Sequence, residues 1–275
     1  MKPKYAILFI VLLISFSLSA QKKLVILHTN DMHSHIEPFP STDKYYPGQG
    51  GVVNRKAIID SIRKSEKNIL LLDAGDVVQG TPYYNMFKGR IEAEAMNRMK
   101  YDAVTIGNHE FDYGLDTLKM IYQKLNFPVI SCNYDFSGTV LKDMVKPYII
   151  IKRGGLKIGI IGIGVNPEGL IQKAKYEGMV FKPVIETANH YAELLRLKEK
   201  CDIIICLSHI GYHQDLVLAE KSNNIDIIVG GHSHTFMQQP DIKKDKAGKD
   251  VLIYQTGKNG VNLGKIEVEL EKVKR

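Results

Sequence analysis

Five short apolar runs recur along the chain, and each of them ends in a cluster of polar residues. The runs cover residues 24–27, 69–72, 103–106, 203–207 and 225–229. Continuous apolar runs of this length, rich in β-branched side chains, are typical of strands that are buried on both faces. The chain is therefore predicted to build a sheet whose two faces are both covered.

Helical patterns lie between the runs, at residues 52–67, 91–99, 115–125 and 183–200. The first pattern has the spacing of an amphipathic helix whose apolar face carries Val53, Ala57, Ile58 and Ile62. Because strands alternate with helices, we expect an α/β fold with helices on the outside.

Two stretches depart from this alternation. Residues 147–164 have the pattern of a β-hairpin around Gly154-Gly155, a pair that suits a tight turn. Residues 251–254 and 263–270 also have strand character, with glycines between them. We therefore expect two mixed sheets packed face to face.

The first 20 residues differ from the rest of the chain. Lys2 and Lys4 precede an apolar stretch at 5–16, which small residues follow. This order is typical of a secretory signal peptide, and the stretch is short for a membrane anchor, which needs about 20 apolar residues. We expect residues 1–20 to be removed. The remaining domain, residues 21–275, would be periplasmic or extracellular and would have no stable membrane span.

The formal net charge of +7 is spread along the chain. A lysine-rich surface of this kind could favour anionic substrates, although a solvated surface is the simpler interpretation. No basic stripe is interleaved with aromatic residues, so binding to a nucleic-acid polymer is not predicted.

The chain has three cysteines, Cys132, Cys201 and Cys206. An odd number leaves at least one thiol unpaired in an exported protein. We expect buried free thiols and no disulfide framework.

The polar clusters that follow the five runs contain the same few kinds of side chain. They contain, in chain order, Asp31, His33 and His35; Asp73 and Asp76; Asn108, His109 and Asp112; His209; and His232 and His234. Ligands of open α/β sheets bind beyond the carboxyl ends of the strands, so five segments would bring these side chains to one edge. The potential ligand atoms of these side chains are nitrogen and oxygen, with no thiolate, and such ligands suit zinc, manganese, iron or similar ions.

The spacing within the clusters favours two cations. Asp31 and His33 are two residues apart and would point the same way on an extended end, and His232 and His234 repeat this spacing. Asp76 has two carboxylate oxygens and could bridge two ions. Two cations about 3.5–4 Å apart can hold a hydroxide and clamp a phosphoryl oxygen.

Single histidines after a strand are more often surface or core residues than ligands, but five coordinated matches make an accident improbable. His28 lies inside the first run, where a core position or a position behind the ligands is favoured. His35 could support the ligands or face the substrate. His190 and His213 follow no strand end and are predicted to be structural or exposed.

The polar clusters resemble the motifs of a known family. They are His28-Thr29-Asn30-Asp31-Met32-His33-Ser34-His35, Gly75-Asp76, Gly107-Asn108-His109-Glu110-Phe111-Asp112, Ser208-His209 and Gly231-His232-Ser233-His234. In this order they are similar to those of the calcineurin-like metallophosphoesterases, and more narrowly to the catalytic domain of bacterial and animal 5′-nucleotidases. The resemblance covers residues 24 to about 270 and implies a four-layer α/β/β/α sandwich.

The resemblance also implies roles for individual residues. The first of two divalent ions (Zn, Mn, Fe, Co or Mg) would be held by Asp31, His33, Asp76 and His234. The second would be held by Asp76, Asn108, His209 and His232. His109 and Asp112 would form a catalytic dyad. Apart from the resemblance, we expect Asn108, His109 and His35 as substrate contacts.

This sequence departs from the family pattern in two ways. Nucleotidases of the family often have Gln where His234 stands, which could alter metal preference. The family also usually continues into a second domain that supplies aromatic residues for stacking on the base. Tyr83, Tyr84 and Phe87 are alternative substrate contacts, although a helix packing face is the favoured interpretation.

We therefore hypothesise an exported phosphoesterase that acts on a small phosphorylated substrate, a nucleoside monophosphate or a cyclic nucleotide. A metal-bridging hydroxide would attack phosphorus in line with the leaving oxygen, and His109 would stabilise the transition state or protonate that oxygen. Three alternatives stay open. The chain could be a non-catalytic binding module, half of a split nucleotidase that needs a partner carrying the substrate-binding domain, or a hydrolase of sulfur or sugar esters.

Overall fold

The structure is a computed structural model that describes residues 22–270. The predicted signal peptide, residues 1–20, lies outside the described residues. Within residues 22–270, none of the helices has the length and apolar character that crossing a membrane requires.

Fourteen strands and six α-helices are found in this part of the chain. The strands are β1 (Lys22–Thr29), β2 (Ile69–Asp73), β3 (Ala103–Thr105), β4 (Val129–Ile130), β5 (Tyr134–Asp135), β6 (Val145–Lys146), β7 (Tyr148–Arg153), β8 (Leu156–Gly164), β9 (Val180–Phe181), β10 (Ile203–His209), β11 (Ile227–Gly230), β12 (Asp241–Lys244), β13 (Asp250–Tyr254) and β14 (Gly264–Leu270). The helices are α1 (Val52–Ser65), α2 (Pro82–Phe87), α3 (Arg90–Met99), α4 (Gly114–Tyr122), α5 (Val184–Glu193) and α6 (Tyr212–Lys221).

The strands form two six-stranded sheets and one small pair, β5-β9. The first sheet has the order β14-β1-β2-β3-β4-β6, in which β14 alone is antiparallel to its neighbour. The second has the order β12-β13-β11-β10-β8-β7, with a parallel centre and antiparallel edge strands. Both sheets are therefore mixed, as predicted.

Three apolar clusters separate the layers. The middle cluster lies between the two sheets and includes Leu70 and Leu72 from β2 and Ile205 and Leu207 from β10. A second cluster packs the outer face of the first sheet against α1, α3 and α4, and a third packs the second sheet against α5 and α6. The predicted four-layer α/β/β/α sandwich is confirmed.

The predicted hairpin is present as β7 and β8. Gly154 and Gly155 form its two-residue turn with φ values of 60° and 73°, a left-handed conformation that glycine adopts without steric cost. The strands predicted near the C-terminal end are also present, but β13 joins the second sheet and β14 the first. All three cysteines are buried free thiols, as predicted.

The predicted apolar face of α1 is wrong. Val53 and Ile58 are 77% and 52% exposed, whereas Ile59 is fully buried. Arg55 takes a core position because its guanidinium donates a hydrogen bond to the carbonyl oxygen of Gly260, over 3.0 Å. A periodicity that counts only apolar residues misses a helix face that contains a buried arginine.

Candidate metal centre

The carboxyl ends of five parallel strands, three from the first sheet and two from the second, meet at one edge of the sandwich. Asp31 and His33 follow β1, Asp76 follows β2, Asn108 follows β3, His209 ends β10, and His232 and His234 follow β11. Backbone hydrogen bonds join neighbouring loops, from Asp31 N to Gly75 O over 2.9 Å and from His33 N to Asp76 O over 3.1 Å. The fold therefore brings together all seven side chains that the sequence nominated as ligands.

Six of these side chains form two groups of three. In the first group, Nε2 of His234 lies 2.9 Å from Nε2 of His33 and 3.3 Å from Oδ1 of Asp31. Each group offers ligand atoms that all lie within 4.8 Å of one another. Side-chain nitrogen and oxygen atoms this close to each other can share one cation.

The second group consists of Asp76, His209 and His232. Nε2 of His209 lies 3.0 Å from Oδ2 of Asp76. Asn108 joins this group, because its Oδ1 lies 2.8 Å from Nδ1 of His232. The two groups are adjacent, since Oδ1 of Asp31 is 4.0 Å from Nε2 of His209.

His209 shows that this environment fits a cation. Its Nδ1 lies 2.6 Å from the carbonyl oxygen of Ala74, which can only accept, so Nδ1 must carry the proton. In the neutral ring Nε2 then presents a lone pair, and this atom is buried without a hydrogen-bond partner. A lone pair that faces the Asp76 carboxylate at 3.0 Å requires a proton or a metal ion between the two atoms.

Electrostatics at the second group support the same conclusion. Burial lowers the pKa of His209, but the Asp76 and Asp31 carboxylates more than offset burial and raise it to about 10. Burial raises the pKa of Asp76, yet His209 and the hydrogen bond from the His109 amide hold it well below its usual range. The site therefore attracts positive charge, which a bound metal ion can supply in place of a proton.

The carboxylates are held by hydrogen bonds that leave them directed into the site. Asp31 is fully buried and accepts from the His232 amide over 3.0 Å and from the Asn30 side-chain amide over 2.6 Å. Oδ1 of Asp76 accepts from the His109 amide over 2.9 Å. Outer contacts of this kind orient metal ligands and tune their affinity.

Five of the seven candidate ligands have a left-handed backbone, which is uncommon for residues other than glycine. Their φ values are 49° for Asp31, 47° for His33, 53° for Asp76, 73° for His232 and 55° for His234. Each such residue costs about 1–3 kcal/mol, and the strain persists only where the surrounding structure enforces it. The concentration of this backbone strain at one edge of the sandwich marks that edge as a functional site.

Two glycines allow the close approach of chain segments around the ligands. A Cβ atom on Gly107 would lie 2.2 Å from Oδ1 of Asp76, and one on Gly231 would lie 2.8 Å from Nδ1 of His209. No side chain fits at either position without displacing a ligand. The close approach of these two chain segments to Asp76 and His209 therefore requires glycine at both positions.

We expect Gly107→Ala to lower kcat for p-nitrophenyl phosphate by roughly 100-fold, because a displacement of about 1 Å at a reacting centre has that effect. Gly138→Ala is the matched control, since the nearest atom to its new Cβ would be the Gly178 carbonyl oxygen at 3.2 Å, remote from the ligands. Steady-state kinetics of both variants would check this. Equal activity of the two variants would show that the contact with Asp76 is unimportant.

His109 and Asp112 lie beside the two groups, at the short 3₁₀ turn His109–Phe111 and directly after it. Nδ1 of His109 is 3.2 Å from Oδ2 of Asp112, and this hydrogen bond raises the pKa of the imidazole. Both side chains are about one-third exposed, so the pair faces the solvent side of the site. The His109 ring is 5.5 Å from that of His33, which places the dyad next to the first group.

The other histidines lie outside the two groups. His28 is a core residue whose pKa burial lowers to about 4, as the core interpretation predicted. His35 stacks on Phe39, with ring centroids 4.8 Å apart. His190 and His213 are exposed on helices.

Of the aromatic residues of α2, Tyr84 has the core position that the packing interpretation predicted, because it is buried in the core of the first sheet. Tyr83 donates a hydrogen bond to Glu37 and lies near Phe87.

Sequence reasoning did not single out two residues that support the ligands. Asn30 holds the Asp31 carboxylate and also accepts from Thr256. Glu110 contacts the loops that follow β2 and β3. Asn30 directly precedes Asp31, and Glu110 lies in the same motif as Asn108. Their positions next to candidate ligands were the signal in the sequence that could have identified them.

Comparison with known proteins identifies the class. Snake venom 5′-nucleotidase of Naja atra is 33% identical over 274 residues, covering 90% of this chain and 50% of the relative. The 5′-nucleotidase precursor of Thermus thermophilus has a TM-score of 0.84 at 36% identity, covering 90% of this chain and 51% of that one. The calcineurin-like phosphoesterase YfkN of Bacillus subtilis has a TM-score of 0.76 at 27% identity, covering 92% of this chain and 86% of that one.

The fold matches that of the 5′-nucleotidase precursor, and the two groups offer candidate ligands for metal ions. The chain belongs to the calcineurin-like phosphoesterase family, whose model matches residues 24–236. It spans about half the length, or less, of the curated 5′-nucleotidases that it matches.

Proposed function

We propose that this protein hydrolyses the phosphate ester of a small nucleotide, as the names of its nucleotidase relatives suggest. The observation that carries the proposal is the pair of adjacent ligand groups with a histidine–aspartate dyad beside them. A nucleoside monophosphate is the favoured substrate, and a cyclic nucleotide is the second. The apolar stretch at 5–16 supports export to the periplasm or beyond.

In this proposal the two ions share Asp76. Asp31, His33, Asp76 and His234 would hold the first ion, and Asp76, Asn108, His209 and His232 the second. The ions would lower the pKa of bound water and neutralise charge on the phosphoryl oxygens. The nitrogen and oxygen ligands suit Zn, Mn, Fe, Co or Mg, with the imidazoles favouring the transition metals.

The protein's own groups would act on the leaving side of the ester. Asp112 accepts the Nδ1 proton of His109, which fixes the tautomer and leaves Nε2 to face the substrate. Protonated Nε2 would donate to the leaving oxygen or to a phosphoryl oxygen as charge develops. The reaction needs no serine or cysteine nucleophile, so no phosphoenzyme is expected.

We expect His109→Ala to reduce kcat for nucleoside 5′-monophosphates by about 10²–10⁴-fold, the usual contribution of a general acid or base. Bound metal should stay unchanged, because His109 belongs to neither ligand group. Phosphate release with a panel of 5′-, 3′- and cyclic nucleotides would measure this. His190→Ala, at an exposed position, is the control. Full activity in His109→Ala would remove the dyad from the mechanism.

A further inference from the structure

Glu110 is a buried glutamate with three backbone amides on its carboxylate. Oε2 accepts from Asp76 N over 3.0 Å and from Gly107 N over 2.7 Å, and Oε1 accepts from Val77 N over 2.8 Å. Only 6% of the residue is exposed. Oε2 therefore accepts from two amides at once, and these two amides belong to different loops.

The three amides belong to the two loops that carry ligands of the second group. Asp76 lies in the loop after β2, and Gly107 directly precedes Asn108 in the loop after β3. The ladder between β2 and β3 is short, with Leu72–Ala103 and Asp73–Val104 as its paired residues. Beyond it the two loops are joined by the Glu110 carboxylate and by the hydrogen bond from the His109 amide to Asp76. The Glu110 carboxylate therefore links Asp76, the candidate bridging ligand, to the segment that carries Asn108.

We propose that Glu110 is a positioning residue that sets the distance between Asp76 and Asn108 and thereby the affinity of the site for metal ions. This role rests on the proposed function, because it presupposes that Asp76 and Asn108 bind metal. Glu110 belongs to neither ligand group, and both of its carboxylate oxygens accept from backbone amides. It acts through the backbone of the loops, and the left-handed conformation of Asp76 (φ 53°) is one that its two bonds to this loop help to maintain.

Glu92 provides a matched control within the same layer. It is a glutamate of similar burial, 3% exposed, on α3. Within the part of the chain that the structure describes, neither of its carboxylate oxygens has a hydrogen-bond partner. The substitution Glu92→Gln therefore tests the effect of altering a buried carboxyl group that makes no hydrogen bond to the ligand loops.

The experiment uses the full metal-stripped chain titrated with Co²⁺ alone and followed by visible absorption. Glu110→Gln keeps the side-chain volume but presents an amide to three amide donors. We expect its apparent Co²⁺ affinity to be roughly 10–100-fold weaker than that of the unmodified protein, with an altered absorption spectrum. Glu92→Gln should bind Co²⁺ as the unmodified protein does.

Two results would overturn the role of Glu110 alone. One is an unchanged affinity and spectrum in Glu110→Gln, and the other is an equal loss in Glu92→Gln. An unmodified protein that binds no Co²⁺ would overturn the metal centre itself, and the role of Glu110 with it.

A second measurement needs no variant and so covers the case in which Glu110→Gln does not fold. Amide hydrogen exchange of the metal-free unmodified protein should be roughly 100-fold slower than that of unprotected amides at Asp76, Val77 and Gly107. Exchange at the unprotected rate at these three amides would contradict the proposed positioning role.

Discussion

Asp76→Asn should lower kcat/KM for p-nitrophenyl phosphate by about a thousandfold. The neutral amide has only one oxygen and cannot bridge two cations. Loss of this bridge removes several kcal/mol of charge stabilisation, and each 1.36 kcal/mol corresponds to a factor of ten in rate. Asparagine tolerates the left-handed backbone that Asp76 adopts, so the fold should be retained.

Circular dichroism would confirm that Asp76→Asn is folded before kinetics are compared. Glu92→Gln is again the control, because Glu92 is a buried acidic residue that belongs to neither ligand group. If Asp76→Asn kept more than about a tenth of the activity, the bridging role of Asp76 would be excluded.

Removal of metal ions by a chelator should lower the melting temperature by roughly 10 to 20 °C and abolish activity. An ion present at 100 times its dissociation constant stabilises the folded state by about 2.7 kcal/mol, so two ions contribute about 5 kcal/mol. For a chain of this size each kcal/mol corresponds to about 2–4 °C. Without cations, the carboxylates of Asp31 and Asp76 and the close pair of His33 and His234 lose their common partner.

Differential scanning calorimetry with and without chelator would measure this change, followed by re-addition of Mn²⁺ or Zn²⁺. The Asp76→Asn variant is the internal control, because its melting temperature should respond far less to the chelator. A melting temperature that chelation leaves unchanged in the unmodified protein would contradict the presence of bound ions.

The ligands could be predicted from the sequence because of a simple geometric fact. Buried parallel strands have recognisable apolar runs, and their carboxyl ends share one edge of the sheet. Asp31, Asp76, Asn108, His209 and His232 each stand within three residues of such an end. Their convergence therefore followed from the order of the runs, and the structure brings them together.

Other features depend on tertiary contacts that no local pattern contains. The apolar face of α1 was misplaced because Arg55 is buried by its hydrogen bond to Gly260, about 200 residues away in the chain. The two C-terminal strands could be recognised, but their division between two sheets could not. Glu110 lies in the motif that follows β3, but that position does not reveal its three amide partners, and only the folded loops show them.

The candidate ligands with a left-handed backbone also could not be predicted from local sequence patterns. Local propensity disfavours a positive φ at Asp31, His33 and Asp76, so the sequence predicts an ordinary backbone there. The structure imposes the strained conformation because these residues must turn sharply off the strand ends and still direct their side chains inward. Local backbone propensities therefore fail at the site, where function requires a conformation that they disfavour.

The most direct test of a paired-metal centre is an anomalous-diffraction measurement on crystals of the full chain grown with Mn²⁺. We expect two anomalous peaks about 3.5–4 Å apart, both within ligand distance of the Asp76 carboxylate. One peak should contact Asp31, His33 and His234, and the other His209, His232 and Asn108. A single peak at this edge, or two peaks that do not share Asp76, would contradict a metal pair bridged by this carboxylate.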